Sequence, residues 1–386
     1  MTLPVAILLC LGALAGAHIV GMAVLIARTY GTSSRAPANR PPVTILRPAC
    51  GIENHIEETL ASAYRLDYPE YEIVFCVADP RDPVVPAIER LISQHPNVPS
   101  RLLTGDDRIS NNPKLNNLVK GWHGARHEWI VMTDSNVLMP RDYLDRLVER
   151  RQPNVGLVSS APTGIRPDGA AAHLECAFLN TYQARWQLTA DAFGNGYAQG
   201  KTLFWQRQEL DDAGGIRALA SATAEDIASS LLMRSLKRKV RLVNGLSQQP
   251  LGRRNLGQVW NRQVRWAQLR RKDLPSIFWL EPLSFNVLLF VLAAAASAAG
   301  GISAVIAIAI VAATYAAEFL LAGLMGWPLS ILSLPAWIAR DLLLPVVWLR
   351  GVFTSQYEWR GNTVAIESAE WTPAEVRSPA EGFADG

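Results

Sequence analysis

Three aspartates and one short cationic segment are the residues whose types and spacing could do chemistry. They are Asp79, Asp134 and Asp226, and the run Arg262-Gln263-Val264-Arg265-Trp266. A lone Asp at the end of an apolar run is most often a turn former or a helix cap. Three of them, joined by two arginines and an indole, make a set with a shared use. Carboxylates can hold the base or ribose of a nucleotide, anchor a divalent ion on a diphosphate, and take a proton from an attacking hydroxyl. Arginine meets phosphate oxygens in a two-pronged geometry, which suits a diphosphate leaving group. Together these are the parts that transfer of a sugar from a nucleotide donor needs.

Residues 43–250 hold the elements that must position these groups. Strand-like runs at 43–47, 71–78, 101–104, 129–133, 155–159 and 240–243 alternate with helical stretches at 53–64, 84–94, 114–125, 140–151 and 227–236. Asn54 is a candidate cap for the first helix, with Glu57 three residues on. A longer helical segment spans 169–192, and a sheet-like run at 194–208 opens with Gly194, Gly196 and Gly200. The alternation predicts an α/β fold with a mostly parallel sheet covered on both faces. Such sheets bind ligands at the carboxyl ends of their strands. Asp79 and Asp134 follow two strand-like runs, and Asp226 leads into a helix. The chain has no GxGxxG and no phosphate-binding P-loop, so neither a dinucleotide enzyme nor an NTPase is supported.

At 386 residues and 49% hydrophobic, the chain is too long and too apolar for one small soluble domain. Its net charge of +3 argues against a nucleic-acid binder. Cys10, Cys50, Cys76 and Cys176 are widely spaced and suggest neither a disulfide framework nor a zinc site. His123 and His127 sit four apart, but no third ligand accompanies them. An apolar run at about residues 3–27, interrupted only by His18, predicts an N-terminal transmembrane helix (1–28). Arg28, Arg35 and Arg40 follow it, which places the next domain in the cytoplasm. A linker (29–42) leads to the catalytic domain (43–252). Residues 253–274 form a basic helix with Trp at headgroup depth, read as lying in a membrane interface. It either anchors the chain to anionic lipid or holds a diphosphate beside the bilayer. C-terminal membrane helices (275–353) follow, with apolar runs at 276–299 and 302–325 read as a hairpin of two spans. Glu318 is expected to be packed within the bundle. The stretch 331–352 carries Arg340-Asp341 at its middle, and reads equally as a span or as an in-plane helix. The remainder (354–386) is polar, then acidic, and reads as a tail disordered at its end.

The series Asp79, Asp134-Ser135-Asn136, Glu225-Asp226 and Arg262-x-x-Arg265-Trp266 resembles the D, DxD-like, D and (Q/R)xxRW series of processive-type GT-A glycosyltransferases. It is most similar to glycosyltransferase family 21, the ceramide glucosyltransferases. The segments Asp67-Tyr68-Pro69-Glu70-Tyr71-Glu72, Asn112-Pro113-Lys114-Leu115-Asn116-Asn117 and Asp211-Asp212-Ala213-Gly214-Gly215 carry the likeness further. It covers about residues 43 to 285. The resemblance implies a GT-A (nucleotide-diphospho-sugar transferase, Rossmann-like) domain facing the cytoplasm, on an integral protein of a bacterial inner membrane. It implies inverting transfer of a hexose, glucose first, from a UDP-sugar to the primary hydroxyl of ceramide. Asp79 would bind uracil and ribose. Asp134 would sit at the diphosphate and its Mg2+ or Mn2+. Asp226 would deprotonate the acceptor hydroxyl. Arg262, Arg265 and Trp266 would bind the diphosphate and acceptor side, and Lys114 would face the nucleotide. The second motif departs from the pattern, with Asn136 where a second acid would stand. Magnesium usually keeps water and substrate phosphate as ligands, so Asp134 alone could still serve. Relatives with hopanoid, glycerolipid or polyprenyl-phosphate acceptors share the layout. A polysaccharide synthase would carry more spans. An inactive membrane scaffold would be signalled by loss of Asp226 or Arg265, and both are present.

Overall fold

A computed structural model describes residues 2–31, 37–354, 356–359 and 362–365. Arg35 and the acidic end of the chain lie outside the described residues. The first helix, α1, runs Leu3–Tyr30. Then come β1 (Val43–Ala49), α2 (Ile56–Ala61), β2 (Tyr71–Val77), α3 (Val85–Gln94), β3 (Ser100–Thr104), α4 (Pro113–Gly124), β4 (Trp129–Thr133) and α5 (Tyr143–Arg150). The next elements are β5 (Val155–Ser159), β6 (Pro162–Asp168), α6 (Ala170–Ala177), a π-helical stretch (Phe178–Ala184), α7 (Arg185–Ala192), β7 (Thr202–Gln206), α8 (Arg207–Asp212) and α9 (Glu225–Ser235). β8 (Lys239–Leu242), β9 (Ser247–Arg253), α10 (Leu256–Asp273), α11 (Pro275–Leu280), α12 (Asn286–Ala298), α13 (Ala304–Leu324) and α14 (Ser333–Phe353) follow, and the short strands β10 (Gln356–Trp359) and β11 (Asn362–Ala365) pair antiparallel. The sequence reading expected polar tail from 354 and had no hairpin there.

Seven strands form one sheet in the order β3-β2-β1-β4-β7-β5-β8. β1 and β2 are largely apolar, with Thr44, Arg47 and Glu72 the exceptions, and every residue of each is buried. That is what a strand covered on two sides requires. One face packs Ile45, Ile73, Phe75, Val131 and Phe204 against α2, α3 and α5. The other packs Leu46, Val74, Ile130 and Trp205 against Leu115, Leu118 and Trp122 of α4 and Ala228 of α9. The α/β expectation holds, with two departures. β7 runs antiparallel to both β4 and β5. A second small sheet pairs β6 with β9 in parallel. The prolines and glycines of those two strands (Pro162, Gly164, Pro167, Pro250 and Gly252) disguise them in the sequence. Asn54 is not a helix cap; its amide donates to the carbonyls of Leu251 and Arg253, both at 2.8 Å.

Among the described residues, α1 and α13 are the two helices long and apolar enough to cross a membrane. The first run of the expected hairpin is not one straight span. It breaks into α11, a short 3-10 turn at Glu281–Ser284, and α12, with a bend of 50° between the halves. Pro282 lies in that turn and Phe285 is extended, which stops the helix from continuing. Glu318 is packed, as expected, and its partner is Arg340 at 2.9 Å. Arg340 also holds Asp341 at 2.8 Å and donates to the Thr181 hydroxyl in the π-helical stretch. Asn286 donates to both Glu318 (2.9 Å) and Asp341 (3.1 Å), and Tyr315 donates to Asp341 (3.0 Å). Glu318, Arg340 and Asp341 are all at most 2% exposed. Removing one member strands the others without solvent, a change that costs about 3–5 kcal/mol in buried pairs. Arg340→Ala is therefore expected to lower the melting temperature of the purified protein in detergent markedly. Arg340→Lys, which keeps the charge, should do so less.

Candidate active site

The site forms where the carboxyl end of β4 meets the start of β7. The two strands run antiparallel with Thr133 opposite Thr202. The residue after β4, Asp134, is thereby set beside the residue before β7, Lys201. The Lys201 ammonium lies 3.0 Å from Asp134 Oδ2 and donates to Asn136 Oδ1 at 2.6 Å. A second lysine arrives from α4. Asn112 caps that helix by accepting from the Lys114 and Leu115 amides, and Pro113 supplies a preset first turn. Lys114 then reaches Asp134 Oδ1 and Glu225 Oε1, each at 2.6 Å, and the Gly200 carbonyl at 2.6 Å. The Asn112 side chain also donates to Glu225 Oε2 at 2.7 Å.

Asp226 opens α9 next to this cluster. Its Oδ2 accepts from the Gly200 amide and its Oδ1 from the Ile227 amide, both at 2.8 Å. A side chain at Gly200 would crowd the cluster. A Cβ would lie 3.0 Å from Glu225 Oε1 and 3.1 Å from Lys114 Nζ. Beneath the loop, the buried Arg47 of β1 donates to the carbonyls of Ser135 (3.0 Å), Val137 (3.2 Å) and Asp134 (3.3 Å), and so fixes the shape of 134–137. Burial lowers the Arg47 guanidinium to about 10.

The two candidate carboxyls are driven apart electrostatically. Burial alone would raise Asp134, but Lys114 and Lys201 outweigh it and hold the group well below the usual carboxylate range. Burial also opposes the charge on Lys114, and Asp134 with Glu225 outweighs it upward. Lys201 is lowered by burial, with Asp134 opposing and the charge of Arg262 adding to the fall. Asp226 goes the other way. Burial and the neighbouring Glu225 charge raise it to about 7. A carboxyl poised near neutrality beside a cationic pocket is suited to general-base work.

The residues singled out in the sequence are not all in one place. Asp134, Lys114 and Asp226 converge. Asp79 lies two residues beyond β2 and is exposed. Its carboxylate accepts from the amide and side chain of Arg81 (2.9 and 3.2 Å), and the Arg81 amide bond does most to lower it. Among the described residues, its side-chain bonds run to Arg81 and not to the lysine cluster. Arg262 pairs with the buried Glu175, which also meets Arg254 at 3.2 Å, and its guanidinium stands 5.8 Å from the Trp266 ring. Trp266 packs against the cluster of Ile227, Leu269 and Leu274, which sets it next to the residue following Asp226. Arg265 is half-buried on the same helix. Other cations of α10 are engaged by protein: Arg270 by Glu281 (2.7 Å), Arg271 by the Gly351 carbonyl (3.0 Å), Lys272 by the Thr223 hydroxyl (2.9 Å). Lys201, Glu225 and Gly200 went unassigned in the sequence. Only the pairing of β4 with β7 reveals the first and last.

Among the described residues, no group of three or more His, Cys, Asp and Glu side chains could cage a metal ion. Asp134 and the Asn136 carbonyl are hard oxygen donors on one loop. They fit a Mg2+-type ion that takes its other ligands from water and phosphate oxygens.

The family model described as Glycosyl transferase family 21 matches residues 8–371. The chain belongs to that family. Ceramide glucosyltransferase 1 of Caenorhabditis elegans is 24% identical over 366 residues, spanning 89% of this chain and 76% of that protein. The ceramide glucosyltransferase of Komagataella phaffii is 29% identical over 299 residues, spanning 62% of this chain and 58% of its own length. Among solved structures, a mannosyltransferase from Pyrobaculum calidifontis in complex with GDP-Man and Mn2+ superposes with a TM-score of 0.53 at 20% identity, covering 90% of this chain and 99% of that one. The fold of this family 21 glycosyltransferase, of the ceramide glucosyltransferase type, is thus GT-A, and its two long apolar helices fit an integral membrane protein.

The raised Asp226 carboxyl carries a stability consequence. Its folded value of about 7 exceeds the ordinary 3.8, so the folded state holds the proton more tightly than the unfolded chain. That contribution is complete below about pH 4 and is lost as pH rises toward about 7. Asp226→Asn is therefore expected to melt above wild type at pH 8 and level with it near pH 4, as followed by thermal unfolding in detergent. A variant melting lower at pH 8 would contradict the raised value.

Proposed function

We propose that this glycosyltransferase moves a hexose, glucose, from a UDP-sugar to the primary hydroxyl of ceramide, with inversion at the anomeric carbon. The observation that carries the reading is the Asp226 carboxyl, raised to about 7 and bonded to the Gly200 amide, while Lys114 bridges Gly200 and Asp134. A base and a cationic pocket within one glycine's reach suit a single displacement. The acceptor oxygen gives its proton to Asp226 and bonds to the anomeric carbon as the bond to the diphosphate breaks. Negative charge grows on the leaving diphosphate, where Lys114 and Lys201 lie closest, with Arg262, Arg265 and Trp266 on the helix alongside. A Mg2+ or Mn2+ ion on Asp134 would add countercharge to the diphosphate when bound. Asp79, just past the end of β2, would meet the uracil and ribose. A ceramide headgroup lies at a membrane surface, and α10 joins the site to the 3-10 turn after α11 and to α14 through Arg270 and Arg271. Arg28 at the end of α1 pairs with Asp191 at 2.7 Å, so the catalytic domain sits on the positively charged side of α1. That supports a cytoplasmic site on a bacterial inner membrane.

Three outcomes test the reading. Membranes bearing the protein, given UDP-glucose and ceramide, should yield hexosylceramide by mass spectrometry. Product formed only from diacylglycerol or a hopanoid polyol would move the acceptor. Asp226→Asn should lose transfer by roughly a hundredfold or more while still binding UDP. Wild-type-like turnover would remove Asp226 from the base role. The base works only when deprotonated, so kcat/KM should fall roughly tenfold per pH unit below about 7 and level off above it.

A further inference from the structure

Both oxygens of Asp134 are taken by ammonium groups: Oδ1 by Lys114 at 2.6 Å and Oδ2 by Lys201 at 3.0 Å. The neighbouring Asn136 brings no charge. Its carbonyl accepts from Lys201 at 2.6 Å, and its amide donates to Glu53 at 3.0 Å. A divalent cation arriving alone would find one carboxylate ligand, already neutralised, with two like charges in contact with it. Lys114 is tied in place by two acceptors beyond Asp134, Glu225 and the Gly200 carbonyl. Lys201 is held differently. Its backbone carbonyl is fixed by the Thr133 hydroxyl at 2.9 Å, but among the described residues its ammonium bonds only to the loop 134–136. Lysine is a compact charge on a flexible stem with three donors, so it can exchange a carboxylate for a phosphate oxygen without moving the strand.

We propose that Lys201 is the resident cation of the Asp134 site, and that it admits a divalent ion only together with the donor's diphosphate. The diphosphate draws the Lys201 ammonium onto its own oxygens, which frees Asp134 Oδ2 and the Asn136 carbonyl for the ion and supplies the negative charge that a second acid at 136 would have brought. This rests on the nucleotide-sugar reading above and adds an order of binding to it.

The test uses the full chain purified in detergent and reads free Mn2+ by electron paramagnetic resonance, so it does not depend on turnover. Wild type is expected to bind Mn2+ about tenfold or more tightly with UDP present than without, the order expected for removal of a nearby unit charge. Lys201→Met should bind Mn2+ without UDP about tenfold or more tightly than wild type does. Lys201→Arg should follow wild type. Equal Mn2+ affinity of wild type with and without UDP overturns the proposal, and that comparison needs no variant. So does a Lys201→Met protein whose UDP-free Mn2+ affinity is unchanged. UDP binding to wild type is measured in the same samples, with and without EDTA. A protein that binds no UDP in either condition sinks the nucleotide-sugar reading itself, whereas bound UDP with indifferent Mn2+ sinks only the role of Lys201.

Discussion

The Lys114 ammonium is the contact on which the site depends. It touches the end of β4 through Asp134, the start of α9 through Glu225, and the strand-leading Gly200 through its carbonyl. Without a cation there, Asp134 and Glu225 would face each other out of water, and one of the pair would be driven toward its protonated form. With Lys201 still on Asp134, that one would be Glu225. The capped first turn of α4 exists to deliver this one side chain. Asn112 fixes the helix start with one end of its amide and Glu225 with the other. Asp226 rises toward neutrality although the Lys114 charge and the Gly200 and Ile227 amides pull it down, because burial and the Glu225 charge outweigh them.

The physical division of labour follows from which carboxyl each cation reaches. Asp134 has an ammonium on each oxygen and stays ionised. Asp226 sits one residue from Glu225 and feels that like charge along with its burial. Two aspartates of one short sequence pattern thereby acquire opposite tendencies, and the difference is made by lysines and a glutamate that carry no sign of their task in isolation.

Much of this was legible in the sequence, and the remainder was not for identifiable reasons. β1 to β4 and the helices between them read correctly because buried apolar runs and capped amphipathic turns are local signals. An Asp directly after a strand is also local, so Asp79 and Asp134 stood out. Lys201 did not, since its place beside Asp134 depends on β7 running against β4, and a fully buried strand reads the same in either direction. β6 and β9 hid behind prolines. The apolar run at 276–299 is bent by 50° at Phe285, after a turn that contains Pro282, a residue whose cost to a helix is local but whose weight against a long apolar run could not be judged from composition. Arg340-Asp341 was the opposite case. The pair was visible, and its meaning awaited Glu318 across the bundle.

That last pairing has a consequence for how α13 can pack. Glu318 lies inside α13, a helix apolar enough to enter a bilayer, and its carboxylate is met by Arg340 of α14. An acid within such a helix is tolerated where it is paired. Glu318 therefore fixes which side of α13 turns inward, and it sets α13 against α14 in one register: a slide by one turn would pull Glu318 off Arg340 and Asn286 together.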